Sequence, residues 1–249
     1  MIATGAASTS SAVKAQALME LKLTLRRGES VLLTFLIPIV LLAFFSQVDV
    51  FTDANEDRIT SLFPGILALA IMSTSFVSIA IATGFERQMG VLKRLGATPL
   101  TRRALMVAKT CAVVVVQLIQ MVVLGVEALL LGFRFDGADI ALALVGAVLA
   151  TIAFAGLGLL MAGSLPALTT LAAANGLYLL LLLISGMVIP LDQLPEFLQS
   201  LAAILPSGAL TELFNGSIGT TTLDFQPFLV LALWAGATPL LAAKWFRWE

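Results

Sequence analysis

The residue types best suited to chemistry are concentrated in a charged island from Gly84 to Arg103, GFERQMGVLKRLGATPLTRR, which separates two long apolar segments. At 100° per residue, this island predicts a helix with two different faces. The apolar face carries Phe85, Met89, Leu92, Leu95 and Gly96. The charged face carries Glu86, Arg87, Lys93 and Arg94. One face can pack while the other forms ion pairs, which is the chemistry of docking. The alternative is a basic loop that only fixes orientation in a membrane.

The sequence lacks most side chains that catalysis needs. It contains no histidine, so Ser-His and Cys-His catalysis and most zinc sites are excluded, and neither a catalytic nor a metal site is expected. It has no Gly-x-x-x-x-Gly-Lys-Ser/Thr loop, so it cannot hydrolyse ATP by itself. The absence of a Gly-x-Ser-x-Gly elbow also argues against an intramembrane hydrolase.

Composition indicates a membrane protein. With 59% hydrophobic residues, 12% charged residues and a mean hydropathy of +1.04, the chain has too little polar surface for a soluble fold of 249 residues. We predict an all-α polytopic membrane protein, because a crossing helix needs about 20 apolar residues. Residues 1–11 are expected to form a flexible tail, and residues 12–249 one transmembrane domain. Six spans fit, at about 30–48, 62–84, 104–131, 139–163, 169–189 and 227–246.

The positive charges predict how these spans are oriented. With a cytoplasmic N-terminus, only Arg58 and Arg134 of the 14 lysines and arginines fall on the outer side. Both termini are then cytoplasmic. The charged island, which lies between the second and third spans, is on the same side.

A helix in the membrane interface is predicted from Val13 to Arg27. Its apolar stripe points away from Gln16 and Glu20, as expected for such a helix. The alternative is a basic run that only sets orientation. The stripe consists of Ala17, Leu18, Leu21 and Leu25.

The last outer loop, from Pro190 to Gln226, is too apolar for an ordinary solvent loop. Helical spacing predicts short helices at 195–206 and 208–214. A position on the membrane surface is one arrangement for them. On the cytoplasmic side, Thr98 followed by Pro99 predicts an N-cap and first position for the third span.

Polar residues within the spans are candidates for contact with a transported molecule. Serine and threonine also bond their own helix or pack helices together, and that alternative stays open. Glu127 is the acidic residue within a span; it is either functional or directed to the interface. The candidates in the second and fifth spans are Ser73, Thr74, Ser78, Asn175, Tyr178 and Ser185.

The island resembles the cytoplasmic coupling loop of type-2 ATP-binding-cassette export permeases, a class that includes daunorubicin-resistance-type and polysaccharide exporters. The order of the other predicted elements resembles that class as well. Gln88 departs from the pattern, which often has a second acidic residue there. The matching residues are Glu86-Arg87, Gly90, Leu92-Lys93, Leu95, Thr98-Pro99-Leu100 and Lys109.

The resemblance implies a permease subunit in the plasma membrane that exports a hydrophobic or amphipathic molecule, such as a drug, lipid, polyketide or glycan-linked compound. ATP and Mg would be bound by a separate ATPase subunit, and a second permease chain, identical or paralogous, would complete the complex. By resemblance, the helix from Phe85 to Gly96 docks in a groove of the ATPase, and the second and fifth spans line the pathway. The resemblance also implies that the short helices of the last outer loop re-enter the outer leaflet. Membrane lipid is an expected partner and nucleic acid is not.

An ion- or proton-coupled secondary carrier is the alternative. That class places charges near the middle of the membrane and often contains inverted repeats. The sequence shows neither feature.

Overall fold

The computed structural model of the chain describes residues 9–26, 28–48, 58–98, 100–219, 222 and 224–246. This part of the chain is helical, with no β-strand. The α-helices are α1 (Thr9–Arg26), α2 (Gly28–Phe45), α3 (Arg58–Met72), α4 (Ile79–Gln88), α5 (Val91–Gly96), α6 (Arg102–Leu130), α7 (Ile140–Ser164), α8 (Ala167–Ile184), α9 (Glu196–Ile204), α10 (Pro206–Ile218) and α11 (Gln226–Trp245). A π-helical segment, Ser73–Ser78, joins α3 to α4 without a break, and a 3₁₀ turn, Leu191–Gln193, precedes α9.

Five helices of the described chain are long and apolar enough to cross a membrane, and each overlaps a predicted span. The first predicted span overlaps α2, whose apolar part, Thr34–Phe45, is shorter than a crossing. A sixth candidate is the pair α9 and α10, bent by 87°. The prediction of an all-α polytopic protein is therefore confirmed, with five or six candidate spans. The five helices are Ile59–Gln88, Arg102–Leu130, Ile140–Ser164, Ala167–Ile184 and Gln226–Trp245.

Helix α7 forms the centre of the bundle, and α4, α10 and α11 pack against it. Small residues allow this close approach. A Cβ atom added at Gly156 would lie 2.4 Å from Thr238 Oγ1, and one at Gly158 would lie 2.8 Å from the carbonyl oxygen of Phe76. Thr238 also donates a hydrogen bond across the contact to the carbonyl oxygen of Ala153, at 2.7 Å. These contacts hold α11 and the π-helical segment that leads into α4 at fixed positions on α7.

The predicted short helices of the last outer loop are present with different boundaries. Helix α10 begins at Pro206, because proline is favoured at the first helical position, and it continues beyond the predicted residue 214 to Ile218. Most of α10 is buried in the bundle, whereas α9 keeps Phe197 and Ile204 exposed. Re-entry of the pair into the bilayer stays a prediction.

The start of the third span also differs from the prediction. Helix α6 begins at Arg102, and its N-cap is Thr101, whose Oγ1 accepts a hydrogen bond from Ala104 N at 3.2 Å. Thr98 instead closes α5 by donating to the carbonyl oxygen of Leu95 at 2.6 Å. Pro99 lies outside the described residues. The prediction was wrong by three residues because the sequence offers two threonines with similar spacing ahead of the apolar run.

Candidate functional site

The charged island does not form one helix. Helix α4 continues to Gln88. Gly90, with φ 70°, interrupts the helix before α5 begins at Val91. This left-handed conformation is readily adopted by glycine and is typical of helix ends. The predicted helix from Phe85 to Gly96 is therefore corrected to the last turn of the second span followed by a separate short helix.

A buried ion cluster lies where α4, α6 and α1 meet. Lys109 Nζ, in α6, donates to Glu86 Oε2 of α4 at 2.6 Å and to Glu20 Oε2 of α1 at 3.0 Å. Gln16 Nε2 donates to the other oxygen of Glu20 at 2.8 Å. Lys109 is only 4% exposed and both glutamates are buried. The cluster therefore links α1, α4 and α6. Breaking this link is costly, because removing one member of a buried ion pair leaves an uncompensated charge.

The N-terminal helix directs its polar face toward this cluster. The predicted stripe residues Leu18 and Leu25 are exposed, as required if the stripe faces lipid, and Ala17 and Leu21 are half-buried. Glu20, predicted away from the stripe, points into the protein. The interfacial position of α1 stays a prediction.

Arg87 joins the end of α4 to the end of α7. Its guanidinium donates to the carbonyl oxygens of Gly163, at 2.7 Å, and Leu165, at 2.5 Å. These carbonyls end a helix and lack partners within it, so the arginine satisfies them. Glu86 and Arg87 were both predicted on a face that forms ion pairs. In the structure, both side chains form contacts within this chain.

Helix α5 is anchored by Leu92, with Leu95 packed against the same cluster, and it exposes several other residues. Leu92 is fully buried in a cluster that includes Ile79, Leu105 and Phe246. Met89, by contrast, is 60% exposed, so the predicted apolar face is divided between the protein interior and the surface. Leu95 and Phe85 are half-buried. The exposed residues on and beside α5 are Gln88, Met89, Val91, Lys93, Arg94, Gly96, Ala97 and Thr98.

The predicted pathway residues of the second span lie in the π-helical segment. Thr74 Oγ1 donates to Gln120 Oε1 at 3.0 Å, and Gln120 Nε2 donates to the carbonyl oxygen of Thr34 at 2.9 Å. Ser78 is exposed and Ser73 is half-buried. Thr74 therefore connects the second span to the third and, through Gln120, to α2.

The pathway residues of the fifth span lie apart from these. Asn175 Nδ2 donates to the carbonyl oxygen of Leu171 at 2.8 Å, and Ser185 Oγ donates to that of Leu182 at 2.9 Å. Tyr178 is half-buried. Thr74 and Ser78 line a shared cavity of this chain that none of these three residues lines. That the polar residues of the second span and those of the fifth span line one pathway stays a prediction.

Sequence reasoning missed the central position of Glu20 and the bridging role of Gln120. The available signal for Glu20 was that it is an acidic residue among the basic residues Lys14, Lys22 and Arg26. Glu127 lies in α6 with a buried Oε2 that has no hydrogen-bond partner among the described residues. Its two alternatives, a functional charge and an interfacial one, both stay predictions.

The fold and the ion cluster together define a multi-pass helical membrane protein whose second and third spans are locked to each other at one end. Residues 12–218 match the family model for the ABC-2 type transporter, and the chain belongs to this family. No curated protein shows a significant match to the chain. The chain is therefore a permease subunit of an ABC-type transporter, a non-catalytic transport subunit. ABC-2 permeases typically work with an ATP-binding cassette subunit.

Proposed function

We propose that this chain is half of the membrane part of an ATP-driven exporter in the plasma membrane, with both termini in the cytoplasm. It carries a hydrophobic or amphipathic molecule, of the drug, lipid, polyketide or glycan-linked type, outward from the cytoplasm. A separate subunit binds ATP and Mg and performs the hydrolysis. A second permease chain, identical or paralogous, supplies the other half. Family membership supports this proposal.

The observation that carries the proposal is the set of contacts linking α5 to the bundle. Leu92 anchors α5 beside the last turn of α4, and Lys109 fixes that turn to α1 and α6. Arg87 fixes it to α7. A force applied to α5 is thus passed to four helices, as a rigid-body movement requires. A secondary carrier is less favoured, because that class places charges near the middle of the membrane. The buried charges of Glu86 and Lys109 lie toward the ends of their spans.

The docking surface for the ATPase is formed by the exposed side chains of Met89 and Val91 with the exposed basic residues Lys93 and Arg94. Glu86, Arg87 and Leu92 act from behind this surface as positioning residues. Replacement of Leu92 by Asp or reversal of charge at Glu86 is therefore a poor test of docking, since each change also disturbs buried contacts.

The test uses Val91→Asp in the full chain, co-expressed with a candidate ATP-binding cassette ATPase from the same organism. Co-purification of the two subunits and stimulation of ATPase activity by candidate amphiphiles are measured in lipid nanodiscs. Val91→Asp is expected to reduce co-purification at least fivefold while its thermal stability stays unchanged. The control is Val48→Asp, which changes an exposed valine after α2 in the same way. Full retention of the ATPase, with unchanged stimulation of its activity by amphiphiles, in Val91→Asp would refute the docking surface.

A further inference from the structure

A cavity of about 550 Å³ lies between α1, α2, α4 and α6. This volume is within the range of about 300–1,000 Å³ that is usual for pockets holding drug-sized ligands. Exposed Ser78 and Met89 and half-buried Ile81 lie along it, so the cavity opens beside the second span. Residues of a single chain line it.

The cavity is polar at one end and mainly apolar along its length. The ion cluster of Glu20, Glu86 and Lys109 closes the polar end. Phe35, Val77, Val113 and Val116 line the apolar part. Along the helix, residues 74 to 83 span about 13 Å at 1.5 Å per residue. The shape therefore suits one molecule with a polar head and a single apolar tail.

Thr83 provides the second observation. It is 0% exposed and lines the cavity, and its Oγ1 atom has no hydrogen-bond partner among the described residues. Two other buried helical threonines donate to the carbonyl oxygen four residues earlier: Thr151 to that of Ala147 and Thr211 to that of Ser207. A buried hydroxyl without a partner is costly, so a ligand that supplies one is stabilised there.

The Thr83 hydroxyl, which has no hydrogen-bond partner among the described residues, is uncharged, whereas Lys109 already contacts two carboxylates. A further buried charge would carry a large desolvation cost. We propose that this cavity binds one single-tailed amphiphile, with a neutral hydrogen-bonding head at Thr83 and its tail along Val77, Val113 and Val116. The molecule is either a component of the surrounding membrane or the exported cargo. The binding does not rest on the proposed function, because it needs only the permease chain.

The probe is 1-decanol bearing a diazirine near the end of its tail, added to the full chain in phosphatidylcholine nanodiscs. Photo-adducts are mapped by mass spectrometry, and half-saturation is measured with unlabelled 1-decanol as competitor and decane as the competitor without a head. Adducts are expected on α2, α4 and α6 residues that line the cavity, with decanol competing and decane failing to compete at equal membrane concentration.

Thr83→Val removes the hydroxyl with little change of shape and is expected to raise the half-saturation concentration about 5- to 10-fold, the loss of one hydrogen bond. Thr151→Val is the matched control, since it is the same change at a buried threonine outside the cavity, and it should bind as the unmodified chain does. Adducts spread over lipid-facing residues, or equal binding by Thr83→Val and the unmodified chain, would overturn the proposal.

A second arm separates the two sources of the ligand. The chain is reconstituted with its ATPase, and ATP hydrolysis is measured with and without 1-decanol. Stimulation that Thr83→Val loses identifies the site as one for cargo. Saturable binding without stimulation identifies a membrane amphiphile held by the permease. Both results support the site.

Discussion

Lys109 Nζ lies 2.6 Å from Glu86 Oε2 in the interior of the protein, and this contact joins the third span to the last turn of the second. The same ammonium also reaches Glu20, so a single side chain connects helices that are far apart in sequence. In the proposed exporter, a movement of α5 is transmitted to α1, α4 and α6 through this ion cluster.

Lys109→Met is expected to lower the free energy of unfolding by about 3–5 kcal/mol, because it leaves two buried carboxylates without their shared cation. Lys244→Met makes the same change at an exposed lysine near the end of α11 and is expected to cost less than about 0.5 kcal/mol. Thermal unfolding of both variants in nanodiscs provides the comparison. Equal melting temperatures would show that the cluster contributes no net stability.

Glu20→Gln is expected to loosen α1 while leaving the rest of the bundle intact. The amide retains the shape of the carboxylate but loses the ion pair with Lys109, and charged hydrogen bonds of this kind contribute about 1.5–3 kcal/mol. Amide hydrogen exchange should therefore accelerate roughly tenfold or more in α1, since local opening limits exchange there. Lys14→Gln, an exposed change on the same helix, serves as the control. Unchanged exchange in Glu20→Gln would mean that packing alone holds α1.

The spans and the position of the island could be predicted from the sequence, because both depend on local hydropathy and charge. The contacts of individual charged side chains could not be predicted from the sequence. Glu20 and Lys109 are 89 residues apart, and helical periodicity carries no information on contacts at that separation. A period of 3.6 residues also continues through Gly90, so the break between α4 and α5 was missed although glycine is the residue type suited to it.

Gly156→Ala tests the packing of α7 against α11. The added Cβ would meet Thr238 Oγ1 at 2.4 Å and the backbone nitrogen of Pro239 at 2.7 Å, so the helices must separate. A loss of about 1–3 kcal/mol in stability is expected from this overpacking. Gly176→Ala in α8 meets nothing within 4 Å and should be neutral or stabilising, because alanine favours a helix. Denaturation of the two variants is measured in parallel. Equal stability of Gly156→Ala and Gly176→Ala would contradict the close contact between α7 and α11.

Gly90→Ala tests whether the break before α5 matters for coupling. No atom lies within 4 Å of an added Cβ, so the cost arises from the positive φ alone and is about 1–2 kcal/mol. Gly90→Asn should cost less, because asparagine tolerates this conformation better than alanine does. Melting temperature, ATPase activity and transport are measured on the full complex. Since the strain falls between the docking helix and the ion cluster, we expect Ala to lower transport per ATP hydrolysed more than Asn does. If both variants matched the unmodified chain in stability and transport, the positive φ at Gly90 would have no part in the working protein.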